Sequence, residues 1–322
     1  GGGNGDDRIG AFGTGYGSNG TRLLERDGRD RLSAGATDEA GSTGGEQAKD
    51  KAGGLVRRGT ASERIAVGEP SEAARSALER DFGVSTFADN AAAIAGANVV
   101  VVAVKPQDAR AVLTPLRARL DAERPTVLSV AAGIRIASLA RWCGSAPVVR
   151  AMPNRPALIG AGATGLFAPA TTPQSSRSAA EEIMSAVGTV VWLPDEDALD
   201  VVTALSGSGP AYFFLLGELM ARAAVELGLD PAAARRLAVA TLHGAGLMAG
   251  TGDGDLVRLR AEVTSKGGTT EAAVRTLEAA GLEGLVTRAL GAAARRSREL
   301  AAQFGDEDPA APSPSPGNED RR

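Results

Sequence analysis

Short apolar runs alternate with longer amphipathic stretches along the first half of the chain. The apolar runs are RIAV at Arg64, VVVVAV at Val99, TVLSV at Thr126, VVRAM at Val148 and TVVWL at Thr189. The second of these runs is continuously apolar and rich in β-branched residues, which is typical of a strand buried on both faces of a parallel sheet. Strands separated by helical segments imply βαβ crossovers, so this half predicts an α/β domain with a doubly wound, mostly parallel sheet.

Helical patterns without strand signals follow Leu193. The stretch DEDALDVVTAL predicts a helix that is broken at SGSGP (Ser206 to Pro210), and a long apolar helix comes next. Asp230 and Pro231 supply a cap and a first-turn proline for another helix. A further helix is expected to begin near Thr270 and to end at a glycine. The second half therefore predicts an all-α domain.

Two polar segments lie outside this pattern. Ser33 to Asp50 is rich in Gly, Asp, Thr and Ser, and it cannot bury enough apolar surface to offset its ordering entropy, so we expect it to be flexible. The stretch from Gly305 combines Pro, Ser and mixed charges and predicts a disordered tail. The expected boundaries are an α/β domain over residues 1–194, with residues 5–50 as a flexible insertion, a helical domain over 195–304, and a tail over 305–322.

Composition and charge narrow the functional classes. The formal net charge of −4 gives no electrostatic reason to expect nucleic acid or an anionic membrane. Cys143 is the single cysteine, which excludes an internal disulfide framework and favours a small buried hydrophobe over a catalytic thiol. His243 is the only histidine, so one chain cannot build a His-rich metal site. No apolar run approaches the roughly 20 residues of a membrane span, and we expect a cytoplasmic protein.

Small or rigid residues follow three of the predicted strands. The most apolar strand runs directly into Lys105, Pro106 and Gln107, TVLSV is followed by Ala131–Gly133, and VVRAM is followed by a proline and Asn154. Ligands of open parallel sheets bind outside the carboxyl ends of the strands, where strand order reverses. Each of these ends is, taken singly, more often an ordinary turn, but three of them in one sheet indicate a cofactor crevice.

A glycine turn before a helix is the second candidate site. In VTSKGGTTEAAVRTLEAAG, Gly267 and Gly268 lead into Thr269 and Thr270 at the predicted helix start. Unpaired N–H groups and the helix dipole make this position suitable for a carboxylate, and the threonine hydroxyls could contact a neighbouring nitrogen. The structural alternative is a threonine cap after a glycine turn.

Five sequence blocks carry a family resemblance. AVKPQ, RAMPN, GATGL, VVTALSGSGPAYFFLL and VTSKGGTTEAAVRTLE, in this order and spacing, resemble the pyrroline-5-carboxylate reductase family from Ala52 to about Phe304. The resemblance implies a Rossmann-like dinucleotide-binding domain followed by an all-α dimerisation domain that interleaves with its partner in a homodimer or a larger homo-oligomer. It also implies reduction of 1-pyrroline-5-carboxylate, a small-molecule substrate, to L-proline by NADPH, with NADH possible, as the last step of proline biosynthesis.

The resemblance also assigns residues, position by position. Those implied to contact the cofactor are Asn90 on the adenosine side, Ala103, Val104, Lys105, Pro106, Ala131, Ala132, Gly133 and Asn154. Those implied to hold the substrate are Glu196, Ser265, Gly267, Gly268, Thr269 and Thr270, with Thr270 as the catalytic residue that orients the ring nitrogen. SGSGP is expected to allow close helix packing at the dimer interface.

The chain departs from the family at its beginning. The family opens with an apolar strand and a glycine-rich turn, whereas here Gly1, Gly3 and Asn4 stand at the very start, so the first strand is predicted to be missing. These three residues are the expected cofactor turn. A rival G-x-G-x-x-G match at Gly15, Gly17 and Gly20 follows only a feeble strand. Without a first strand the neighbouring strands would expose unpaired edges, and cofactor binding would be weak.

The residues after RIAV leave the choice of cofactor open. Gly68 stands where the family often has a serine that helps to bind the 2′-phosphate of NADP. Glu69 would suit a ribose hydroxyl, though Arg75 could compensate.

Two other functions are considered. A related NAD(P)-dependent imine or hydroxyacid reductase would need a catalytic lysine on a helix of the second domain, but the chain has only Lys49, Lys51, Lys105 and Lys266. A non-catalytic dimerising homologue with a damaged cofactor site fits the altered beginning, but it does not explain the intact glycine–threonine loop.

Overall fold

The computed structural model describes residues 31–35, 53–56, 60–252 and 254–305, and an eight-stranded sheet organises its first half. The strands are β1 (Arg31–Gly35), β2 (Ile65–Gly68), β3 (Ser85–Phe87), β4 (Ala97–Val102), β5 (Thr126–Ser129), β6 (Val148–Met152), β7 (Gly162–Phe167) and β8 (Gly188–Trp192). They lie in the order β3-β2-β1-β4-β5-β6-β7-β8, and every neighbouring pair is parallel except β6 and β7. The predicted Rossmann-like, mostly parallel sheet is confirmed.

Helices cover the sheet and enclose a core on each face. They are α1 (residues 53–56), α2 (Glu72–Phe82), α3 (Asn90–Ala93), α4 (Ala109–Glu123), α5 (Ile136–Cys143) and α6 (Gln174–Ser185). Because side chains alternate along a strand, Val99 and Val101 lie in one core while Val100 and Val102 lie in the other. Burial on both faces, predicted from the apolar run, is therefore confirmed. Cys143 is fully buried as expected, and burial raises the pKa of its thiol to about 12.

A strand absent from the sequence-based expectation lies at the centre of the sheet. β1 pairs in parallel with β2 on one side and with β4 on the other, so that Ser33 lies opposite both Ala66 and Val100. The prediction of a missing first strand was wrong, as was the prediction of flexibility for Ser33–Gly35. The expected unpaired edges of β2 and β4 are not present, since β1 lies between them. The other domain boundaries remain predictions.

The second half is helical, as predicted. It contains α7 (Ala198–Val202), a π-helix (Thr203–Gly207), α8 (Gly209–Glu226), α9 (Pro231–Gly250), α10 (Leu256–Glu262), α11 (Thr269–Ala279) and α12 (Leu282–Gly305). Asp230 caps α9 by accepting a hydrogen bond from the Ala233 N–H at 3.0 Å, with Pro231 in the first turn. α11 begins one residue before the predicted Thr270.

The expected break at SGSGP is an irregularity within a continuous helical stretch. Helical geometry extends from Ala198 to Glu226, with a π-helix at Thr203–Gly207, a bend at Ser208 and the start of α8 at Gly209. A π-turn frees backbone carbonyls from the regular helix pattern, and two side chains satisfy them. The Tyr212 hydroxyl donates to the Ala204 carbonyl at 3.0 Å, and the Asn154 amide donates to the Ser206 carbonyl at 3.0 Å.

Helix α8 leaves most of its apolar surface uncovered. The four consecutive residues Phe213 to Leu216 are each at least 50% exposed, so they point in every direction around the helix. Among the described residues, Ala198–Glu226 is the one helical stretch long and apolar enough to cross a membrane, with a mean hydropathy of 1.3 and 22% of its most apolar window buried. The expectation that no segment would meet this criterion was wrong. A helix that is apolar all round requires an apolar environment, which other helices also provide.

Proline at position 33 tests the central strand. We expect Ser33→Pro to lower the free energy of unfolding by about 3 kcal/mol or more, because an interior strand uses its N–H groups in the ladders on both sides and proline has none. Denaturant unfolding measures this change. Ser33→Ala keeps the N–H and is the matched control, with an expected loss below about 1 kcal/mol. Equal, small losses for both variants would contradict a central β1.

Candidate active site

The sheet has a single reversal of strand order around β1. The chain goes from β1 outward to β2 and β3, and then returns to place β4 on the other side of β1. Cofactors of doubly wound proteins bind in the crevice that such a reversal leaves at the carboxyl ends of the strands. In this structure Gly35, Gly68 and the turn beginning at Ala103 lie at these ends. The predicted cofactor residues after β4, β5 and β6 therefore share one edge of the sheet.

The glycine residues predicted to form the cofactor turn are not among the residues that the structure describes. Gly1, Gly3 and Asn4, as well as the rival Gly15, Gly17 and Gly20, lie outside the described residues. All of them precede β1 in the chain, so none of them forms the turn that directly follows it. The predicted contact of Gly1, Gly3 and Asn4 with the cofactor remains a prediction.

In the turn after β4, the small side chains are buried in the cores, and only backbone atoms of these residues can face the crevice. Ala103 is fully buried in one core and Val104 is 1% exposed in the other. Lys105 and Pro106 are half-buried and begin a 3-10 turn, Pro106–Asp108. Any contact between the cofactor and Ala103 or Val104 must therefore come from main-chain atoms.

The turn after β5 presents an open surface. Ala131 is buried, Ala132 is exposed and Gly133 has a φ of +79°, which favours glycine. A Cβ atom on Gly133 would lie 3.4 Å from the Cα atom of Ala301, so helix α12 packs against this turn. Helix α12 thus adjoins the predicted cofactor turn after β5.

The adenosine side contains an unsatisfied acceptor. The Asn90 Oδ1 atom is buried and has no hydrogen-bond partner among the described residues. A Cβ atom on Gly68 would lie 2.2 Å from it, so the Asn90 amide lies directly against the end of β2. An orphaned acceptor beside a glycine suits a ribose or adenine donor, and these residues fit a dinucleotide.

The Asn154 side chain connects three parts of the structure through its hydrogen bonds. Its amide nitrogen donates to the Ser206 carbonyl, and its Oδ1 accepts from the Ala163 N–H at 2.9 Å. It therefore ties the end of β6 to β7 and to the π-helix. Its predicted contact with the cofactor remains a prediction.

Glu196 forms a largely buried ion pair. Its Oε1 accepts from Arg150 Nη1 at 2.7 Å and from the Ile136 N–H at 2.7 Å, while the two side chains are 19% and 10% exposed. Burial lowers the pKa of the Arg150 guanidinium, and the hydrogen bond to Glu196 opposes that shift. Glu196 therefore joins the start of the helical domain to β6 and α5; its predicted contact with substrate remains a prediction.

Sequence reasoning missed Arg150 and a second cation, Arg135. Arg135 Nη1 lies 2.7 Å from Asp197 Oδ1 and 3.9 Å from Glu196 Oε2, and its hydrogen bond to Asp197 raises its pKa. The available signal for Arg150 was a charged residue inside the apolar run VVRAM. In the same region the Ser297 hydroxyl donates to Asp200 Oδ1 at 2.6 Å, which holds α12 on α7.

The glycine–threonine loop lies on the helical domain. Gly268 precedes α11, Gly267 has a φ of +72°, and the Gly267 N–H donates to the Glu271 carboxylate. Ser265 and Thr269 are exposed and Thr270 is half-buried; the hydroxyl groups of all three make no hydrogen bond to any residue that the structure describes. Threonine is not the helix cap, so the structural alternative was wrong. The predicted substrate contacts of both threonines remain predictions.

The loop and the sheet edge are not brought together within one chain. α11 packs chiefly against α12, and none of the hydrogen bonds or ion pairs of residues 264–271 reaches a described strand or strand-end turn. The predicted substrate residues Ser265 to Thr270 are thus separate from the cofactor residues in one subunit, whereas Glu196 lies on the sheet side.

Comparison with known proteins gives consistent results. Residues 196–300 match the family model described as pyrroline-5-carboxylate reductase dimerisation, and residues 43–133 match the one described as NADP oxidoreductase, coenzyme F420-dependent. The pyrroline-5-carboxylate reductase of Pseudomonas aeruginosa is 45% identical over 262 residues, which are 81% of this chain and 96% of that protein.

Solved structures give the same answer. A pyrroline-5-carboxylate reductase from Coxiella burnetii matches with a TM-score of 0.80 at 39% identity, covering 85% of this chain and 99% of that chain. The Plasmodium falciparum pyrroline carboxylate reductase, solved with NADP bound, has a TM-score of 0.70 at 24% identity, covers 84% of this chain and 98% of that chain, and supports the fold alone.

The strand-order reversal and the helical second half define a Rossmann-type fold with a helical second domain. With the family-model matches, this is a dinucleotide-dependent oxidoreductase with a dimerisation domain. The chain belongs to the pyrroline-5-carboxylate reductase family. The expected fold and family are confirmed, including a homo-oligomer formed through the helical domain.

Removal of Arg150 tests the junction between the two domains. We expect Arg150→Met to lower the free energy of unfolding by about 2–4 kcal/mol, because the largely enclosed Glu196 carboxylate loses its hydrogen-bonded cation and keeps only the more distant Arg135. Denaturant unfolding measures the loss. Arg119→Met, which removes the more exposed pair with Glu123, is the control and should cost less than about 1 kcal/mol. Equal losses of unfolding free energy for the two variants would show that the Arg150–Glu196 pair contributes no more to stability than an exposed ion pair.

Proposed function

We propose that this protein reduces 1-pyrroline-5-carboxylate to L-proline with NADPH, as the last step of proline biosynthesis. The observation that carries this proposal is the glycine–threonine loop at the start of α11, because its threonine hydroxyls make no hydrogen bond to any described residue and the chain belongs to this family. The nicotinamide supplies a hydride for the imine carbon. Orientation provides much of the acceleration in such a reaction, so the contribution of the protein is to hold and align the substrate.

The start of α11 suits the substrate carboxylate. N–H groups in the first turn of a helix have no partner within that helix, and the helix dipole favours a negative charge there. α11 has 11 residues, and its first turn is preceded by Gly268, which has no side chain to block access. Glu271 takes the Gly267 N–H but leaves the threonine hydroxyls unengaged. A small carboxylate therefore has donors on more than one side.

Thr270 is placed to orient the ring nitrogen. Its hydroxyl is half-buried, makes no hydrogen bond to the described residues, and lies in the first turn of the same helix. Imines protonate readily, so the reaction does not need a strong acid from the protein. A hydroxyl that both donates and accepts suits the imine and the product amine alike.

We propose further that two subunits complete each site. In one chain the loop does not reach the sheet edge, and α8 leaves residues Phe213 to Leu216 exposed. Enclosing α8 between helices of a second copy buries this surface and brings the loop of one subunit to the crevice of the other. The apolar helix is then an interface helix rather than a membrane span, and we infer a cytoplasmic protein.

A hydroxyacid reductase is less well supported. Its lysine should lie within a helix of the second domain, but Lys105 is on a sheet turn and Lys266 is on the glycine–threonine loop. Lys49 and Lys51 lie outside the described residues. A non-catalytic homologue is also less well supported, because β1 completes the sheet at the cofactor crevice.

The reaction itself is tested by following NADPH oxidation with the purified protein and 1-pyrroline-5-carboxylate, and by identifying proline among the products. We expect stoichiometric proline. Absence of proline from a folded protein that binds NADPH would contradict the proposed substrate, and oxidation with a hydroxyacid partner instead would favour the alternative.

Substitution of Thr270 tests its role directly. We expect Thr270→Ala to lower kcat/KM by roughly 10–1000-fold, about 1–4 kcal/mol of transition-state stabilisation, because the nitrogen loses its orienting hydroxyl. Thr270→Ser keeps the hydroxyl and should retain most of the activity. Steady-state kinetics with 1-pyrroline-5-carboxylate measures both variants. Unchanged kinetics for the alanine variant would remove Thr270 from the mechanism.

A charge on α8 tests the dimer. We expect Phe214→Lys to convert the protein to monomers and to abolish reductase activity, since an ammonium in the interface is costly to desolvate. Light scattering and the proline assay measure the two effects. Val191→Lys, an equivalent change of an exposed residue on edge strand β8, should alter neither. A dimeric, active Phe214→Lys protein would place the interface elsewhere.

A further inference from the structure

The end of α12 packs against the turn that follows β5. A Cβ atom on Gly133 would lie 3.4 Å from both the backbone nitrogen and the Cα atom of Ala301, and 3.6 Å from the Phe304 Cδ2 atom. Ala301 is buried, and the half-buried Phe304 ring packs against the core cluster that contains Ala131 and Ile134, the residues at the two ends of the turn. Phe304 therefore adjoins both the turn and the core that anchors it.

A row of small buried side chains fixes the course of α12. Ala294, Ser297 and Ala301 are 6–8% exposed, and their spacing of three and four residues places them on one face of the helix. The Ser297 hydroxyl donates to Asp200 Oδ1 at 2.6 Å, so this face lies on α7. Phe304 continues the same row, and it therefore reaches the turn from a helix that is attached to the rest of its domain.

The segment that follows the turn is also held by the helical domain. The Ile136 N–H donates to Glu196 Oε1 at 2.7 Å, and Arg135 Nη1 donates to Asp197 Oδ1 at 2.7 Å. Both acceptors directly precede α7. The helical domain thus contacts the sheet at Gly133 and again two residues later, so the conformation of the turn depends on the position of the helices.

The turn needs such contacts because glycine does not hold a conformation by itself. Gly133 has a φ of +79°, and a glycine backbone has many other accessible conformations. A segment that is ordered before its ligand arrives binds more tightly than one that must be ordered during binding. The contacts that order the turn therefore contribute to the affinity of whatever binds there.

We propose that Phe304 is a positioning residue for the cofactor, which holds the Gly133 turn in the conformation that binds NADPH. The proposal rests on the proposed function only in that the turn after β5 contacts the dinucleotide. Phe304 acts through the turn, and it has no part in the hydride transfer. Because coupling between two contacts is reciprocal, the bound dinucleotide should in turn hold the end of α12 in place.

Calorimetric titration of the full chain with NADP⁺, in the absence of substrate, tests this assignment. We expect Phe304→Ala to raise the dissociation constant by about 5–50-fold, since the turn loses one of the contacts that order it. Phe304→Leu keeps a large apolar side chain and should stay within about threefold of wild type. Gln303→Ala changes the exposed neighbour in the same helical turn and is the matched control, with no expected change.

Steady-state kinetics separates positioning from a general loss of structure. In Phe304→Ala we expect the KM for NADPH to rise by the same factor as the dissociation constant, while kcat at saturating NADPH falls by less than about threefold. A variant that merely contained less folded protein would show the opposite pattern, with a lower kcat and an unchanged KM.

Hydrogen exchange of the wild type tests the reciprocal effect without any variant. Helix ends exchange their amide hydrogens through local opening, so a contact formed at the end of a helix slows exchange there. We expect saturating NADP⁺ to slow exchange of residues 300–304 by at least about threefold. The exposed end of α9, residues 247–250, is the internal control and should be unaffected.

The outcomes separate this proposal from the proposed reaction. An unchanged dissociation constant in Phe304→Ala, or an equal increase in Gln303→Ala, overturns the assignment, as does a wild type that does not bind NADP⁺. If Phe304→Ala does not fold, the exchange result decides, and unaltered exchange at residues 300–304 overturns the assignment. If the binding and exchange results hold but no proline forms, the reaction is wrong and the role of Phe304 stands.

Discussion

The apolar side chains of α8 that one chain leaves exposed must be buried by other helices, and the rest of the structure depends on this constraint. Burial of apolar surface contributes roughly 25 cal/mol per Å², and a helix with large apolar side chains on every side gains it only when other helices surround it. One chain supplies α9 as a neighbour but still leaves residues 213–216 exposed. The helical domain is therefore stable as part of a pair, and the position of everything attached to it follows from that pairing.

Polar contacts fix the sheet to this helical half. The ion pair between Arg150 and Glu196 joins β6 to the segment before α7, and the π-helix that follows is held through Tyr212 and Asn154. A π-turn is less favourable than a regular helix unless its freed carbonyls find donors, and both donors here come from residues within the quoted family blocks. The cofactor crevice therefore keeps a defined orientation relative to the helices that carry the substrate loop.

Much of the fold could be predicted because its signals are local. The valine run of β4 needs burial on both faces, and the Asp230–Pro231 cap determines where α9 begins, whatever else the chain does. β1 gave no such signal, since RLSAG contains only Leu32 and Ala34 as apolar residues and lies in glycine-rich sequence. Its place comes from backbone pairing with β2 and β4, which are distant in the chain. SGSGP looked like a helix break because the two donors that stabilise its π-helix are not visible locally.

In the candidate site, too, some features have local sequence signals and others depend on contacts that are distant in the chain. The turns after β4 and β5 and the loop before α11 follow from sequence, but the partner of Glu196 lies 46 residues away and could not be identified from spacing. The separation of substrate loop and crevice within one chain also depends on tertiary structure. At the end of β2, the hydrogen bonds from the Ser71 N–H to the Glu69 carboxylate and from Arg75 to the Glu69 and Pro70 carbonyls also appear only in the structure.

Subunit mixing tests the shared site most directly. Thr270→Ala damages the loop, and Ala132→Trp would fill the turn after β5, where Ala132 is exposed and the cofactor is expected. After unfolding and joint refolding of the two inactive proteins in equal amounts, about half of the dimers are mixed and about a quarter of all sites carry neither change if each site uses two chains. The account predicts recovery of proline formation to about that fraction of wild type. A mixture that refolds to dimers and stays inactive would contradict it.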